Sequence, residues 1–245
     1  RFHNYQQYQI GGALNVFSSN MIKAINPVIV KAEGEGKRSN MLDLSLAGCR
    51  YSFFLYTLFA IPCLLEADYV LKLWLKNVPD WAVLFCRLQI LRTMLEQLTN
   101  TLGMALMAEG HIMKINIVNL VLSILTFISL YLLYSFGFLP YWHFIISIIF
   151  MVIIESCFKI YYCSRYCHLS IKYFIRNVFV RCVLCAVIPF LVGLYFVSEF
   201  EGQGFLRLCL TSVICTTILI MVLFSIGMNK QEKNLIVRNM FTNMH

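Results

Sequence analysis

The sequence predicts an all-α integral membrane protein that crosses the bilayer seven times. Three observations predict this class: 60% of the 245 residues are hydrophobic, only 13% are charged, and the apolar residues form long continuous runs. Soluble domains carry about 45–50% apolar and roughly 25% charged residues, so this chain has too few polar side chains to cover a water-soluble core. Intrinsic disorder is excluded because it requires low hydrophobicity and high charge.

Seven runs are long enough to cross the hydrocarbon core, which takes about 20 mostly apolar residues. The third run is the longest and contains several polar residues. From residue 115 to 154 no Asp, Glu, Lys or Arg occurs, and this run divides at residues 137–140 because Gly and Pro both interrupt helices. The predicted spans are residues 10–30, 44–65, 81–108, 115–136, 141–162, 178–198 and 205–227.

The distribution of basic residues predicts how these helices are oriented. Short connections rich in Lys and Arg stay in the cytoplasm, so we expect an outward-facing N-terminus and a cytoplasmic C-terminus. The net charge of +8 then reflects topology, and no nucleic-acid partner is expected. Trp74, Trp81 and Trp142 fall at the outer ends, where an aromatic belt lies. The expected cytoplasmic cations are Lys31, Lys37, Arg38, Lys114, Lys159, Arg165, Lys172, Arg176, Lys230, Lys233 and Arg238, and the outer ones are Arg1, Lys72, Lys76 and Arg207.

The third predicted span carries a row of polar side chains. Its members are spaced by three and four residues and therefore share one helix face. Turning an Arg or an acid toward lipid near the bilayer centre costs about 2.5–3.5 kcal/mol, so we expect the row to face other helices or water. Two interpretations stay open: a structural ion pair between Arg92 and Glu96, one turn apart, or a hydrated cavity whose cations bind an anionic group. The row consists of Gln89, Arg92, Glu96, Asn100 and Gly103.

The first predicted span has a second polar row, and one further cation lies near the outer surface. Lys23 either reaches the cytoplasmic interface with its long side chain or joins Arg92 in the cavity. Arg87 lies a turn or two from the outer surface, and we expect its side chain to reach that surface. The second row consists of Gly12, Asn15, Ser19, Lys23 and Asn26.

No motif for catalysis, nucleotide binding or metal binding stands out. Cys182 and Cys185 have C-x-x-C spacing but lie inside a predicted span. No P-loop, dinucleotide-binding glycine motif or hydrolase constellation occurs. We therefore expect no enzyme activity and no cofactor.

Four short phrases in residues 10–140 resemble a known family. The first span ends in Asn26-Pro27-Val28, residues 71–79 read LKLWLKNVP, residues 105–112 read ALMAEGHI, and residues 137–140 read GFLP. In this order they resemble the polysaccharide flippases, the O-antigen and capsule group of the multidrug/oligosaccharidyl-lipid/polysaccharide exporter superfamily. Two positions depart from the family pattern: Lys76 replaces the usual Gly, and His111 stands where Lys is common.

The resemblance implies a fold of two lobes around a central cavity, in which this chain supplies the last seven of 14 helices. The missing N-terminal lobe of the same chain is then its partner, in agreement with a sequence that starts without Met and with an odd number of spans. The implied activity is alternating-access transfer of an undecaprenyl-diphosphate-linked oligosaccharide from the cytoplasmic to the periplasmic leaflet of the bacterial inner membrane. The cations would bind the diphosphate and the amides the sugars. The candidate cavity residues are Asn15, Lys23, Arg87, Gln89, Arg92, Glu96 and Asn100.

Other functions and the energy source stay open. A drug/cation antiporter of the same superfamily would favour an acid-rich cavity. The sequence offers one acid in the middle of a span, Glu96, and Arg92 accompanies it, which argues against this function. A membrane enzyme acting on the same glycolipid would need a large outer loop or a catalytic His/Asp pair, and neither is found. Coupling to a counter-ion, either H⁺ through Glu96 or Na⁺, and uncoupled exchange are all compatible with the sequence.

Overall fold

The computed structural model describes residues 3–75, 78–139, 141–200, 202 and 204–228. Lys76, Arg1 and the expected cytoplasmic cations Lys230, Lys233 and Arg238 lie outside these residues. The regular structure of the described part is entirely helical, which confirms the all-α class. Its helices are α1 (His3–Gly34), α2 (Arg38–Leu65), α3 (Ala67–Trp74), α4 (Ala82–Gln97), α5 (Asn100–Ala108), α6 (Ile112–Ser135), α7 (Trp142–Tyr166), α8 (Ile171–Glu199) and α9 (Phe205–Gly227).

Five of these helices, α2, α6, α7, α8 and α9, are long and apolar enough to cross a membrane. The chain is therefore a multi-pass membrane protein. The first predicted span lies on α1 and the third on α4 and α5, which are not among the five, so seven spans stay a prediction.

The third predicted span is not one continuous helix, which corrects the sequence-based expectation. The helix stops at Gln97 and restarts at Asn100, and the amides of Leu98 and Thr99 bond to carbonyls three residues back at 3.2 and 3.3 Å. The Thr99 hydroxyl lies 2.8 Å from the Ser156 hydroxyl of α7. The break thus coincides with a contact to a distant helix. The polar row is divided between two helices as a result.

Helix α2 lies at the centre of the bundle. It contacts α1, α4, α5, α8 and α9, and two-thirds of its apolar window is buried. Helices α6 and α7 pack against α4 and α5 on the outside, and α6 leaves most of its apolar side chains exposed. Apolar side chains on such an outer surface meet lipid in a membrane. The buried core around α2 includes Cys49, Phe53, Leu102, Leu106 and Cys182.

A glycine allows α5 to approach α2 closely. A Cβ atom on Gly48 would lie 2.9 Å from Thr101 Cγ2 and 3.3 Å from Thr101 Cβ. Thr101 cannot easily move away, because its hydroxyl donates a 2.7 Å hydrogen bond to the Ser45 carbonyl. Small residues at such contacts let membrane helices pack with short separations. Gly48 therefore fixes the position of α5, and with it one end of the polar row.

We expect Gly48→Val to destabilise the protein by about 1–3 kcal/mol, because the added side chain overpacks the contact between α2 and α5. Denaturation in mixed detergent micelles measures this change. Gly34→Val is the control, since nothing lies within 4 Å of a Cβ built on Gly34. Equal stability of the two variants would contradict the prediction.

Candidate functional site

The polar row lies on the side of α4 and α5 that packs toward α7. The rings of Phe85 and Phe144 lie 5.2 Å apart at one end of this contact. At the other end, a Cβ on Gly103 would lie 3.6 Å from Lys159 Cε. Gln89, Arg92, Glu96 and Asn100 are all partly buried between these ends. Four predicted site residues therefore share one flank of the α4–α5 segment.

A small polar cavity of about 180 Å³ lies between this flank and α7. An ion pair between Lys159 Nζ and Glu155 Oε1, 2.7 Å apart, lies at its wall, with both side chains less than one-fifth exposed. Polar side chains from both segments face each other across a space large enough for several water molecules, each of which takes about 30 Å³ in liquid. The cavity is lined by Glu96, Thr99, Asn100, Met151, Val152, Glu155, Ser156 and Lys159.

Four polar cavity residues, Thr99, Glu155, Ser156 and Lys159, were not singled out as site residues by the sequence. Glu155 and Lys159 appear in the sequence only as a pair one helical turn apart, which is most simply structural. The sequence feature that could have indicated them is their position directly after the run without Asp, Glu, Lys or Arg, which ends at residue 154.

Arg92 and Glu96 form the ion pair that the sequence allowed. Arg92 Nε lies 3.0 Å from Glu96 Oε1, and the two side chains are 24% and 34% exposed. In the described part of the chain, the two Nη atoms of Arg92 make no hydrogen bond or ion pair. Gln89 Oε1, on the same flank, is buried and has no hydrogen-bond partner among the described residues. The Arg92–Glu96 pair is partly exposed. Within the described residues, the Nη donors of Arg92 and the Oε1 acceptor of Gln89 have no partner.

Asn15 packs against a different flank of α4. Its Oδ1 accepts a 3.0 Å hydrogen bond from Gln97 Nε2 and a 2.7 Å hydrogen bond from the Ser18 hydroxyl. Gln97 follows Glu96 directly, and successive helical side chains point about 100° apart. Asn15 therefore ties α1 to α4 and is not among the residues that line the small cavity.

The cations Lys23 and Arg87 lie away from the small cavity. Lys23 is exposed on α1 and forms no ion pair within the described residues. Arg87 donates hydrogen bonds to the Leu64 carbonyl at 3.2 Å and to Asp68 Oδ2 at 3.0 Å, so it joins α4 to the ends of α2 and α3. It also borders an apolar groove of about 570 Å³ between α2, α4 and α8. The structure does not bring Arg87 together with Arg92.

A buried ion pair joins the start of α9 to the junction of α2 and α3. Arg207 Nε lies 2.8 Å from Glu66 Oε1, and Arg207 Nη2 donates to Glu66 Oε2 at 2.8 Å. Glu66 is only 1% exposed. The sequence placed both residues on the outer side but gave no signal that they meet.

Arg50, which is 3% exposed inside α2, is a further buried cation that was not selected as a site residue. The sequence predicts an apolar span over residues 44–65 of α2. A buried intramembrane arginine is a default candidate for function.

Aromatic and charged clusters lie at the two ends of the bundle. Tyr141 contacts both Trp81 and Trp142, with ring centres 6.0 and 5.8 Å apart, so these two tryptophans share one end as the sequence predicts. At the other end, Arg38 Nη2 lies 2.6 Å from Glu33 Oε1, and Arg38 Nη1 donates to the Tyr166 carbonyl at 3.2 Å. These contacts join the ends of α1, α2 and α7.

Comparison of the chain with family models, curated proteins and solved structures found no match. Of the phrases that resemble the flippases, Lys76, Asn77 and Pro140 lie outside the described residues.

Proposed function

We propose that this chain is the C-terminal lobe of a flippase that transfers an undecaprenyl-diphosphate-linked oligosaccharide between the leaflets of the bacterial inner membrane. One observation carries the proposal: Glu96 and Asn100 line a polar cavity between α4, α5 and α7, and Arg92 and Gln89 lie farther along the same flank, outside its lining. The order of the phrases in residues 10–140 supports the same family.

The chemistry of the substrate explains why such a flank is needed. The diphosphate and the sugars lose their hydrogen bonds to water in hydrocarbon, at a cost of several kcal/mol for each unsatisfied group. The polyprenyl tail is soluble in the bilayer. The protein therefore has to supply polar contacts for the headgroup while leaving the tail in lipid.

The cavity in this chain is too small to enclose the headgroup alone. Its volume of about 180 Å³ is below the roughly 300–1,000 Å³ that is usual for sites of small ligands. In the proposed protein the missing N-terminal lobe faces this one, and the two lobes close alternately around the substrate. The polar flank of α4 and α5 then supplies one wall of a larger passage.

Five of the seven candidate residues have a chemical task in this proposal. Arg92 donates its unoccupied Nη groups to the diphosphate as charge-assisted hydrogen bonds. Gln89 and Asn100 bond sugar hydroxyls, and Lys23 adds positive charge from α1. Glu96 balances Arg92 and is a candidate for binding the counter-ion, H⁺ or Na⁺.

Cells that lack the whole protein test the proposal. We expect the lipid-linked oligosaccharide to accumulate in the cytoplasmic leaflet, where it is protected from a periplasmic glycan-labelling enzyme, and expression of the protein should restore labelling. Unchanged labelling in the depleted cells would reject the flippase. Increased sensitivity to cationic drugs with normal labelling would favour the antiporter instead.

A further inference from the structure

The turn that joins α7 to α8 carries positive charge that no acid in its own sequence neutralises. Asp and Glu are absent from residues 156–198, while this segment contains several basic residues. One of them, Lys159, is paired with Glu155 in the small cavity. Three of the others, Arg165, Lys172 and Arg176, are exposed. Within the described residues these three form no ion pair.

The cations at the neighbouring end of α1 and α2 behave differently. Lys37 Nζ lies 2.8 Å from Glu35 Oε2, and Lys31 Nζ lies 3.9 Å from Glu35 Oε1. These lysines are equally exposed to solvent but have an acid beside them. The topology of the chain accounts for basic residues in both loops, but at the α7–α8 turn the three exposed cations form no ion pair within the described residues.

Two hydrogen bonds define the turn between α7 and α8. The Leu169 amide donates to the Cys163 carbonyl at 3.2 Å, and the Ser170 hydroxyl accepts from the Tyr173 amide at 3.4 Å, so α8 starts directly after α7 ends. Lys172 and Arg176 are one helical turn apart and share a face of α8.

Apolar side chains stand between these cations. Ile171, Tyr173 and Ile175 are each more than two-fifths exposed. Exposed aliphatic and aromatic side chains of this kind enter the acyl region, while neighbouring Lys and Arg reach the headgroups. The turn between α7 and α8 thus places exposed apolar side chains beside exposed cations, so one amphipathic molecule could contact both.

We propose that Arg165, Lys172 and Arg176 form a binding site for the headgroups of anionic phospholipids in the adjacent leaflet. A lipid phosphate accepts hydrogen bonds from guanidinium and ammonium groups, and Arg can bind it through two parallel N–H groups. The acyl chains lie against the exposed apolar residues of α8. This site is separate from the polar flank of α4 and α5, and it does not depend on the proposed transport activity.

Lipid titration of the full chain in mild detergent tests the site. Phosphatidylglycerol and phosphatidylcholine with identical acyl chains are compared by native mass spectrometry. We expect the wild type to prefer phosphatidylglycerol, and Arg165→Gln/Lys172→Gln/Arg176→Gln to bind it at least about tenfold more weakly, since each cation near an anionic surface contributes about fivefold. Binding of phosphatidylcholine should not change.

Lys31→Gln/Lys37→Gln is the matched control, because it also removes exposed positive charge but from residues that are paired with Glu35. It should keep the wild-type preference. Equal binding of the two lipids by the wild type, full phosphatidylglycerol binding by the triple variant, or an equal loss in the control would each overturn the proposal. Competition by inorganic phosphate as strong as that by the lipid would show a phosphate site instead of a lipid site.

Melting curves in phosphatidylcholine micelles show whether the triple variant folds. If it does not, the single variants Lys172→Gln and Arg176→Gln are measured, each with an expected loss of about fivefold. Single variants that fold and bind phosphatidylglycerol normally would overturn the site.

Discussion

Arg92→Ala should abolish surface polysaccharide while the amount of protein in the membrane stays at the wild-type level. The substitution removes the two Nη groups that are unoccupied in the described structure and that we assign to the diphosphate. A hydrogen bond to a charged group contributes about 1.5–3 kcal/mol, so loss of the contacts to the diphosphate corresponds to a loss of at least about tenfold in transport. Immunoblots of the glycan and of the membrane fraction measure both quantities in the same cells.

A double variant separates binding of the anion from neutralisation of Glu96. If Arg92 only balances the charge of Glu96, 3.0 Å away, then Arg92→Ala/Glu96→Ala should regain export. If Arg92 binds the diphosphate, the double variant stays inactive, and Arg92→Lys keeps partial activity because it retains the charge but not the fork of donors. Normal glycan in Arg92→Ala cells would remove Arg92 from the site, and an equal loss of protein would assign it a structural role.

Glu66→Ala should be the most destabilising change at the end of the bundle where α9 begins. It leaves the Arg207 guanidinium, of which only about a tenth is exposed, without the carboxylate that binds it at two positions. Removing one partner of a buried ion pair costs about 3–5 kcal/mol, because the remaining charge stays buried and uncompensated. Denaturation of the purified protein in mixed micelles measures this loss.

The pair of Arg87 and Asp68 provides the comparison. Its side chains are 41% and 44% exposed, and exposed ion pairs contribute about 0–1 kcal/mol. Asp68→Ala should therefore change the stability little. The double variant Glu66→Gln/Arg207→Gln should recover part of the loss, since no buried charge remains. A Glu66→Ala protein as stable as Asp68→Ala would contradict the buried-pair interpretation.

The apolar helices could be predicted from the sequence because membrane crossing depends on length and hydropathy, which are local properties. Helices α6 and α9 follow their predicted spans closely, and α8 begins seven residues earlier than predicted because its first turns carry Lys172 and Arg176 outside the apolar run. The break at Leu98 and Thr99 was not predicted. No Gly or Pro marks it, and Thr99 makes its contact with Ser156, which lies 57 positions away.

The sequence predicted only part of the candidate site. Helical periodicity predicts Gln89, Arg92 and Glu96 on one flank, since residues three and four apart share a helix face, and their contact with a substrate stays a prediction. It could not show which helix packs against that flank. For this reason Glu155 and Lys159 were missed as cavity residues. Asn15 was predicted as a cavity residue, whereas its hydrogen bond to Gln97 places it against a different flank of α4.

The interruption between α4 and α5 has a mechanical consequence. Each of the two helices has its own contact with the rest of the bundle. Arg87 of α4 donates a hydrogen bond to Asp68, and Thr101 of α5 packs against Gly48 of α2. Hinges in proteins are a few residues at the ends of such elements that absorb a backbone rotation. Bending at Leu98 would therefore change the distance between Arg92 and Asn100.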